Sequence, residues 1–210
     1  MTVILMAQLG FFEPNDWTLA DDERGTIVYR PEVFDHEEAE TLFDRLRTEV
    51  PWSEDSMRMY DRTVEVPRLR YSYSDAAAAP EPLQRIHERV SQLEATTFNR
   101  IGLNLYRDGN DSVAWHSDHE EDMIERPTVV VVSLGVPRPM DIRERIDHRR
   151  HWRLTLEPGS LLVMRGYAQG HYEHRIAKFS APTQPRVSIA FRQYAPQGEA
   201  PRPCAQCAGG

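Results

Sequence analysis

The ten residues PRVSIAFRQY, positions 185–194, constrain the fold more than any other stretch of this chain. Their period is two. Val187, Ile189 and Phe191 share one face, while Arg186, Ser188, Ala190 and Arg192 share the other. An ordinary surface strand would leave both arginines in water. If the apolar face packs outward on helices instead, the arginines point into a barrel. A buried guanidinium needs an anion, and its planar fork suits a carboxylate. The strand is therefore either a sheet surface or the wall of a barrel that holds a small dicarboxylate.

The remaining patterns supply the parts of a barrel. DHEEAETLFDRLRTEV opens with Asp35 as an N-cap and Glu38 three residues on, the spacing of a capping box, and then repeats Ala39, Leu42, Phe43 and Leu46 at helical intervals. PEPLQRIHERVSQLEATT places prolines in a first turn and Leu83, Ile86, Val90 and Leu93 on one face. After about residue 98 the pattern changes to short β segments. NRIGLNLYRDG alternates Ile101, Leu103 and Leu105 with Gly102, Asn104 and Tyr106. TVVVVSLG is a β-branched run buried on both faces. HWRLTLEPGSLLVMRG reads as two strands joined around Pro158 and Gly159. Two helices followed by many short strands predict a mainly β fold with flanking helices, an antiparallel sandwich or barrel. The expected organisation is one compact domain. Residues 1–97 would be an N-terminal extension carrying both helices and a lid segment, 98–194 the barrel core and 195–210 a flexible tail.

Two cysteines occur, Cys204 and Cys207, both in the tail CAQC. No disulfide framework holds such a fold, so a reducing cytoplasm is expected, and one C-x-x-C supplies at most half a zinc site. No apolar run approaches the ~20 residues of a membrane span, and no membrane association is expected. The net charge of −8 is concentrated in residues 1–56, which hold 14 acidic and 4 basic side chains; the rest sums to +2. A groove in that larger part can be locally positive, as nucleic-acid phosphates require.

AWHSDHEED, residues 114–122, contains the metal-binding pattern. His116 and Asp118 stand two apart and share one face of a strand. Imidazole plus carboxylate is two thirds of a facial triad that leaves three positions open on Fe(II). The third ligand must come from elsewhere: His148, His151, His171 or His174. The first two sit in the basic stretch RERIDHRRHWR and read as exposed loop, while the other two precede the last strand.

The runs NLYRDGNDSVAWHSDHE, VVSLG, GSLLVMRGYAQGHYEHRI and PRVSIAFR, in this order, resemble the AlkB family of Fe(II)/2-oxoglutarate dioxygenases, over residues 67–194. The resemblance implies a double-stranded β-helix, or jelly roll, that repairs 1-methyladenine and 3-methylcytosine type lesions with Fe(II), 2-oxoglutarate and O2, releasing formaldehyde, succinate and CO2. It implies that His116, Asp118 and His174 ligate iron. Asn104, Tyr106, Arg186 and Arg192 would bind 2-oxoglutarate. Tyr73, in VPRLRYSYSD, matches the aromatic that holds the flipped base, and Glu120 matches the acid that meets its amino group. Ser188 and Ala190 depart from the Asn and Thr of many relatives. The expected partner is single-stranded DNA or RNA, bound by a monomer. The alternatives are a dioxygenase of the same architecture acting on a protein or small molecule, and an inactive nucleic-acid-binding relative.

Overall fold

The computed structural model describes residues 16–59, 62–118, 122–180 and 183–195, with no side-chain description for 55–59 and 62–65. Twelve strands are defined there: β1 (Trp17–Asp22), β2 (Gly25–Arg30), β3 (Ser53–Met59), β4 (Arg62–Tyr73), β5 (Arg100–Tyr106), β6 (Val113–His116), β7 (Val129–Gly135), β8 (Arg138–Glu144), β9 (His151–Leu156), β10 (Leu161–Arg165), β11 (Tyr172–Ile176) and β12 (Arg186–Arg192). Helices α1 (His36–Glu49), α2 (Glu81–Leu93) and the single turn α3 (Ala168–His171) complete the set. None of these helices is long and apolar enough to cross a membrane.

The strands form an eight-stranded sheet, ordered β1-β2-β10-β7-β12-β5-β4-β3, and a four-stranded sheet, ordered β6-β11-β8-β9. All pairings are antiparallel. Together they make the expected double-stranded β-helix. The boundary expected between residues 97 and 98 does not separate structural units. β2 and β4, which precede it, pair with β10 and β5, which follow it, so the same sheet crosses that line.

Each face of the large sheet has its own core. On the outer face, Leu42 and Leu46 of α1 and Leu83, Ile86 and Val90 of α2 pack with Val187, Ile189 and Phe191 of β12. The helices lie there because their apolar stripes match a sheet face that is apolar at every second residue. Asp35 caps α1 by accepting from the Glu38 N–H at 2.9 Å. The Glu38 carboxylate does not return to the cap; it accepts from Arg89 on α2 at 2.7 Å and ties the two helices together. On the inner face, Tyr106, Val131, Leu162 and Ala190 meet Met140, Ile142 and Tyr172 of the small sheet. The arginines of β12 therefore point inward.

β9 and β10 are consecutive but belong to different sheets, so the Pro158–Gly159 turn crosses between layers rather than closing a hairpin. Gly159 has φ +78°, and a Cβ there would lie 2.1 Å from the Phe34 carbonyl oxygen. Glycine is required on both counts.

Candidate active site

β6 and β11 pair so that His116 and His174 are direct cross-strand partners. Their ring centroids are 4.3 Å apart. Asp118 follows two residues past His116 and is buried, as is His174. The Asp118 Oδ2 lies 3.7 Å from His174 Nε2. One ligand atom from each of the three residues falls within 4.8 Å of the others. The Ala114 carbonyl sits 2.9 Å from His116 Nδ1. A carbonyl can only accept, so Nδ1 carries the proton and Nε2 keeps its lone pair for a metal.

The electrostatics agree with the donor set. Burial alone would raise the Asp118 pKa, but Arg192 and the two histidines outweigh it and hold the carboxyl at about 2. Burial drives His174 down to about 4, against the pull of Asp118. At neutral pH the cluster is one carboxylate and one neutral buried imidazole beside His116, the protonation state that metal binding requires. His148, His151 and His171 are not part of the cluster. His148 is exposed on the β8–β9 turn, and His151 begins β9, again exposed.

A cavity of about 510 Å³ opens onto the cluster, lined among others by Asn104, Tyr106, Arg192, Ser188 and Arg68. Next to the lining residue Tyr106 stands Arg186, fully buried and paired with it in register. It lies behind the lining, its guanidinium 5.3 Å from the centre of the Tyr106 ring. Its Nε donates to Ser133 Oγ at 2.9 Å, whereas Nη1 and Nη2 form no well-made hydrogen bond. Burial lowers its pKa to about 10, an effect that the Tyr106 hydroxyl offsets in part. Arg138, equally buried, shows the contrast: its Nη groups serve the carbonyls of Asp108, Gly109, Asp111 and Ala177. Of the two guanidiniums buried among the described residues, Arg186 is the one whose Nη groups meet no carbonyl or carboxylate and have the Tyr106 hydroxyl alone nearby, and an anion is the group that would satisfy them. Arg192, six residues on, donates instead to Asp118 Oδ1. The donor set fits Fe(II), and the arginine end fits a dicarboxylate.

Two expected substrate contacts fare differently. Glu120 lies outside the described residues. Tyr73 corrects the sequence reading. The β4–β5 register aligns Arg70 with Asn104 and Ser72 with Gly102, which turns Arg68, Arg70 and Ser72 to the cavity. Tyr73 has the opposite parity, packs against the helix-side core and sets its ring 4.9 Å from Tyr71. It does not line the cavity, whereas Tyr71, of the same parity, does. A one-residue change of parity moves a side chain through the sheet, and the sequence of an edge hairpin with aromatics and arginines in alternation does not show which set faces in.

The sequence also did not single out Gln169 and Gly102. Gln169 is buried in α3 and accepts from the Asp118 N–H at 2.7 Å, fixing the backbone of one candidate ligand from the segment leading to another. Gly102 lies under Arg192; a Cβ there would be 2.9 Å from Arg192 Nη1. A lone glycine in a strand was the only available signal.

Comparison with known proteins decides the family. The model of the 2OG-Fe(II) oxygenase superfamily matches residues 26–192. The chain belongs to that superfamily. It is 30% identical over 190 residues to alpha-ketoglutarate-dependent dioxygenase alkB homolog 3 of Homo sapiens, covering 81% of this chain and 66% of the relative. It is also 30% identical over 184 residues to human DNA oxidative demethylase ALKBH2, covering 77% of this chain and 70% of the relative, which places this oxygenase in the AlkB group. The chain thus spans about two thirds of the length of these relatives. Among solved structures, OsALKBH1 superposes with a TM-score of 0.58 at 14% identity, over 80% of this chain and 97% of that one. A Pseudomonas putida prolyl-4-hydroxylase superposes with a TM-score of 0.59 at 13% identity, over 81% and 93%. These two show the shared fold.

Proposed function

We propose that this oxygenase is an oxidative demethylase of N-alkylated bases, of the 1-methyladenine and 3-methylcytosine type, in single-stranded DNA or RNA. The observation that carries the reading is the conjunction of the His116–Asp118–His174 cluster with the buried, unserved Nη groups of Arg186 inside one barrel. In this reading His116, Asp118 and His174 hold Fe(II). Asn104, Tyr106 and Arg186 hold 2-oxoglutarate, with Arg192 at the metal end. Bound there, Fe(II) with 2-oxoglutarate and O2 supplies the oxidant for an N-methyl C–H bond, with succinate and CO2 as co-products and formaldehyde as the released carbon.

The chain's own part is to bind, orient and exclude water. Arg192 holds Asp118 in its ionised form and orients Oδ1, leaving Oδ2 on the side of His174. Gln169 fixes the Asp118 main chain. Val131, Met140 and Ile176 supply an apolar part of the cavity lining.

The cavity lining and the relatives support the substrate class. Arg70 and Arg100 line the opening on neighbouring strands, a rim that suits a phosphate-bearing strand better than a neutral side chain. A methyl on a base edge cannot reach such a cavity inside a duplex, so a strand already single is the favoured form. Human ALKBH2 is named a DNA oxidative demethylase, and its 30% identity to this chain over 184 residues supports the same substrate class. The test is succinate and formaldehyde release with one oligonucleotide carrying 1-methyladenine, offered alone and annealed to its complement at fixed salt, against free amino acids and a denatured protein. Release with the single strand at least several-fold above the duplex is expected. Turnover on protein or amino acids, and none on the oligonucleotide, would overturn the assignment.

A further inference from the structure

Asn104 and Arg68 meet at the wall of the cavity. Arg68, on β4, donates from Nε to Asn104 Oδ1 at 2.8 Å and from Nη1 to the Ser112 carbonyl at 3.1 Å. The Ser112 N–H in turn donates to the Pro67 carbonyl at 2.8 Å. One arginine therefore fastens β4 both to β5 and to the segment that leads into β6 and His116.

The chemistry of this contact has a direction. A guanidinium has only donors, so the Asn104 atom facing it must be the amide oxygen. The two ends of an amide are nearly the same size, and nothing in the shape of the side chain selects one orientation. With the oxygen held by Arg68, the NH2 group is the end left for the cavity, which Asn104 lines. The wall then offers a donor, and only an acceptor such as a carboxylate or keto oxygen can meet it. Turned the other way, the amide would present its oxygen to an anion and repel it.

We propose that Arg68 is a positioning residue for the cosubstrate: it locks the polarity of the Asn104 amide so that this side chain donates to 2-oxoglutarate. The proposal rests on the reading above in which Asn104 meets 2-oxoglutarate. Arg68 acts through Asn104 and does not itself need to touch the cosubstrate. The anion selectivity of the site is thereby set partly from β4, the strand between β5 and the edge strand β3.

The experiment measures 2-oxoglutarate affinity by titration calorimetry on the full chain loaded with Mn(II), for wild type, Arg68→Met, Asn104→Ala and the double variant. Mn(II) affinity is measured alongside. Arg68→Met is expected to weaken 2-oxoglutarate about tenfold, the size of a lost charge-assisted hydrogen bond. Asn104→Ala is expected to do the same, and the double variant to be no weaker than Asn104→Ala alone within about twofold. Mn(II) affinity stays within about twofold of wild type, which a general collapse of the wall would not allow. Arg68→Lys, which can still donate to Oδ1 but cannot also span to Ser112, restores part of the loss and covers the case in which Arg68→Met fails to fold. If Asn104→Ala weakens 2-oxoglutarate while Arg68→Met does not, or if the two losses multiply, the positioning role is overturned and the Asn104 contact stands. If Asn104→Ala leaves the affinity unchanged, the Asn104 contact itself falls, and the positioning role with it.

Discussion

Arg186→Met should make the cofactor-free protein more stable while nearly abolishing cosubstrate binding. The side chain is fully buried, and its pKa falls from an ordinary 12.5 to about 10. At neutral pH that shift means the charged form is held at a cost of about 3 kcal/mol. Methionine removes the charge and keeps an unbranched chain of similar reach. The loss is one hydrogen bond to Ser133, about 1 kcal/mol, with the hydroxyl left buried. The balance is a gain of roughly 2 kcal/mol, or a rise in Tm of about 4–8 °C for a chain of this size. With 2-oxoglutarate the order reverses, because a desolvated charge pair that loses one partner loses about 3–5 kcal/mol, on the order of a hundredfold to several thousandfold in affinity. Thermal unfolding in chelator, followed by titration of 2-oxoglutarate into the Mn(II)-loaded protein, measures both. A variant destabilised by 1 kcal/mol or more that still binds 2-oxoglutarate as wild type does would refute the reasoning, since Arg186 would then be an ordinary structural arginine.

Three further outcomes are expected. His174 has a folded pKa of about 4 against 6.5 when unfolded, so between these values the unfolded chain takes the proton first; metal-free stability is intact above pH 6.5 and falls, by on the order of 3 kcal/mol, as pH drops to about 4. Urea unfolding at stepped pH in chelator shows this, and His174→Gln should flatten that part of the profile. Gly102→Val adds a Cβ 2.9 Å from Arg192 Nη1 and pushes that flexible end off Asp118; turnover should fall at least tenfold while stability holds or rises by up to about 1 kcal/mol, so unchanged turnover would show that Arg192 does not govern Asp118. Tyr73→Ala should cost about 2 kcal/mol of stability and leave the KM for a methylated oligonucleotide within about twofold, because the ring packs on the helix side; a large rise in KM would return it to the site.

The legibility of this chain varies with how many partners a residue needs. α1, α2, β5, β7 and β12 follow from local periods, though Leu93, expected on the buried stripe of α2, is exposed, and β12 is buried on both faces because its polar face lines the barrel interior. The inward arginines of β12 could be posed as an alternative from the alternation and resolved once two helices were found to cover the other face. His116 and Asp118 were readable from spacing; His174 came from the family resemblance, and what brings it opposite His116 is the β6–β11 ladder, a pairing across sequence that no local pattern encodes. β1 and β2 form a hairpin that went unread; β2 joins the sheet through β10, more than 130 residues away, and β1 is an edge strand held by β2. β8 was taken as basic loop at its C-terminal end because Arg143 and Arg153 alternate with the buried Ile142 and Leu154, and charges on an outer sheet face resemble those of a loop. Tyr73 failed for the related reason that parity is fixed by the neighbouring strand, here by Arg70 standing opposite Asn104.

β6 spans only Val113–His116, stands at the edge of the four-stranded sheet, and pairs with β11 alone across an irregular register. An ion bound by His116, Asp118 and His174 would be a cross-link, joining points 58 positions apart in the chain at the place where the ladder is weakest. It binds the folded form alone, so at a hundredfold over its Kd it adds about 2.7 kcal/mol to global stability, and more to the local opening of that edge. Cleavage by a nonspecific protease should therefore begin between β5 and the end of β6 in chelator and be suppressed by Mn(II), which is inert to turnover. Metal supply would then govern how long the chain survives as well as how fast it works.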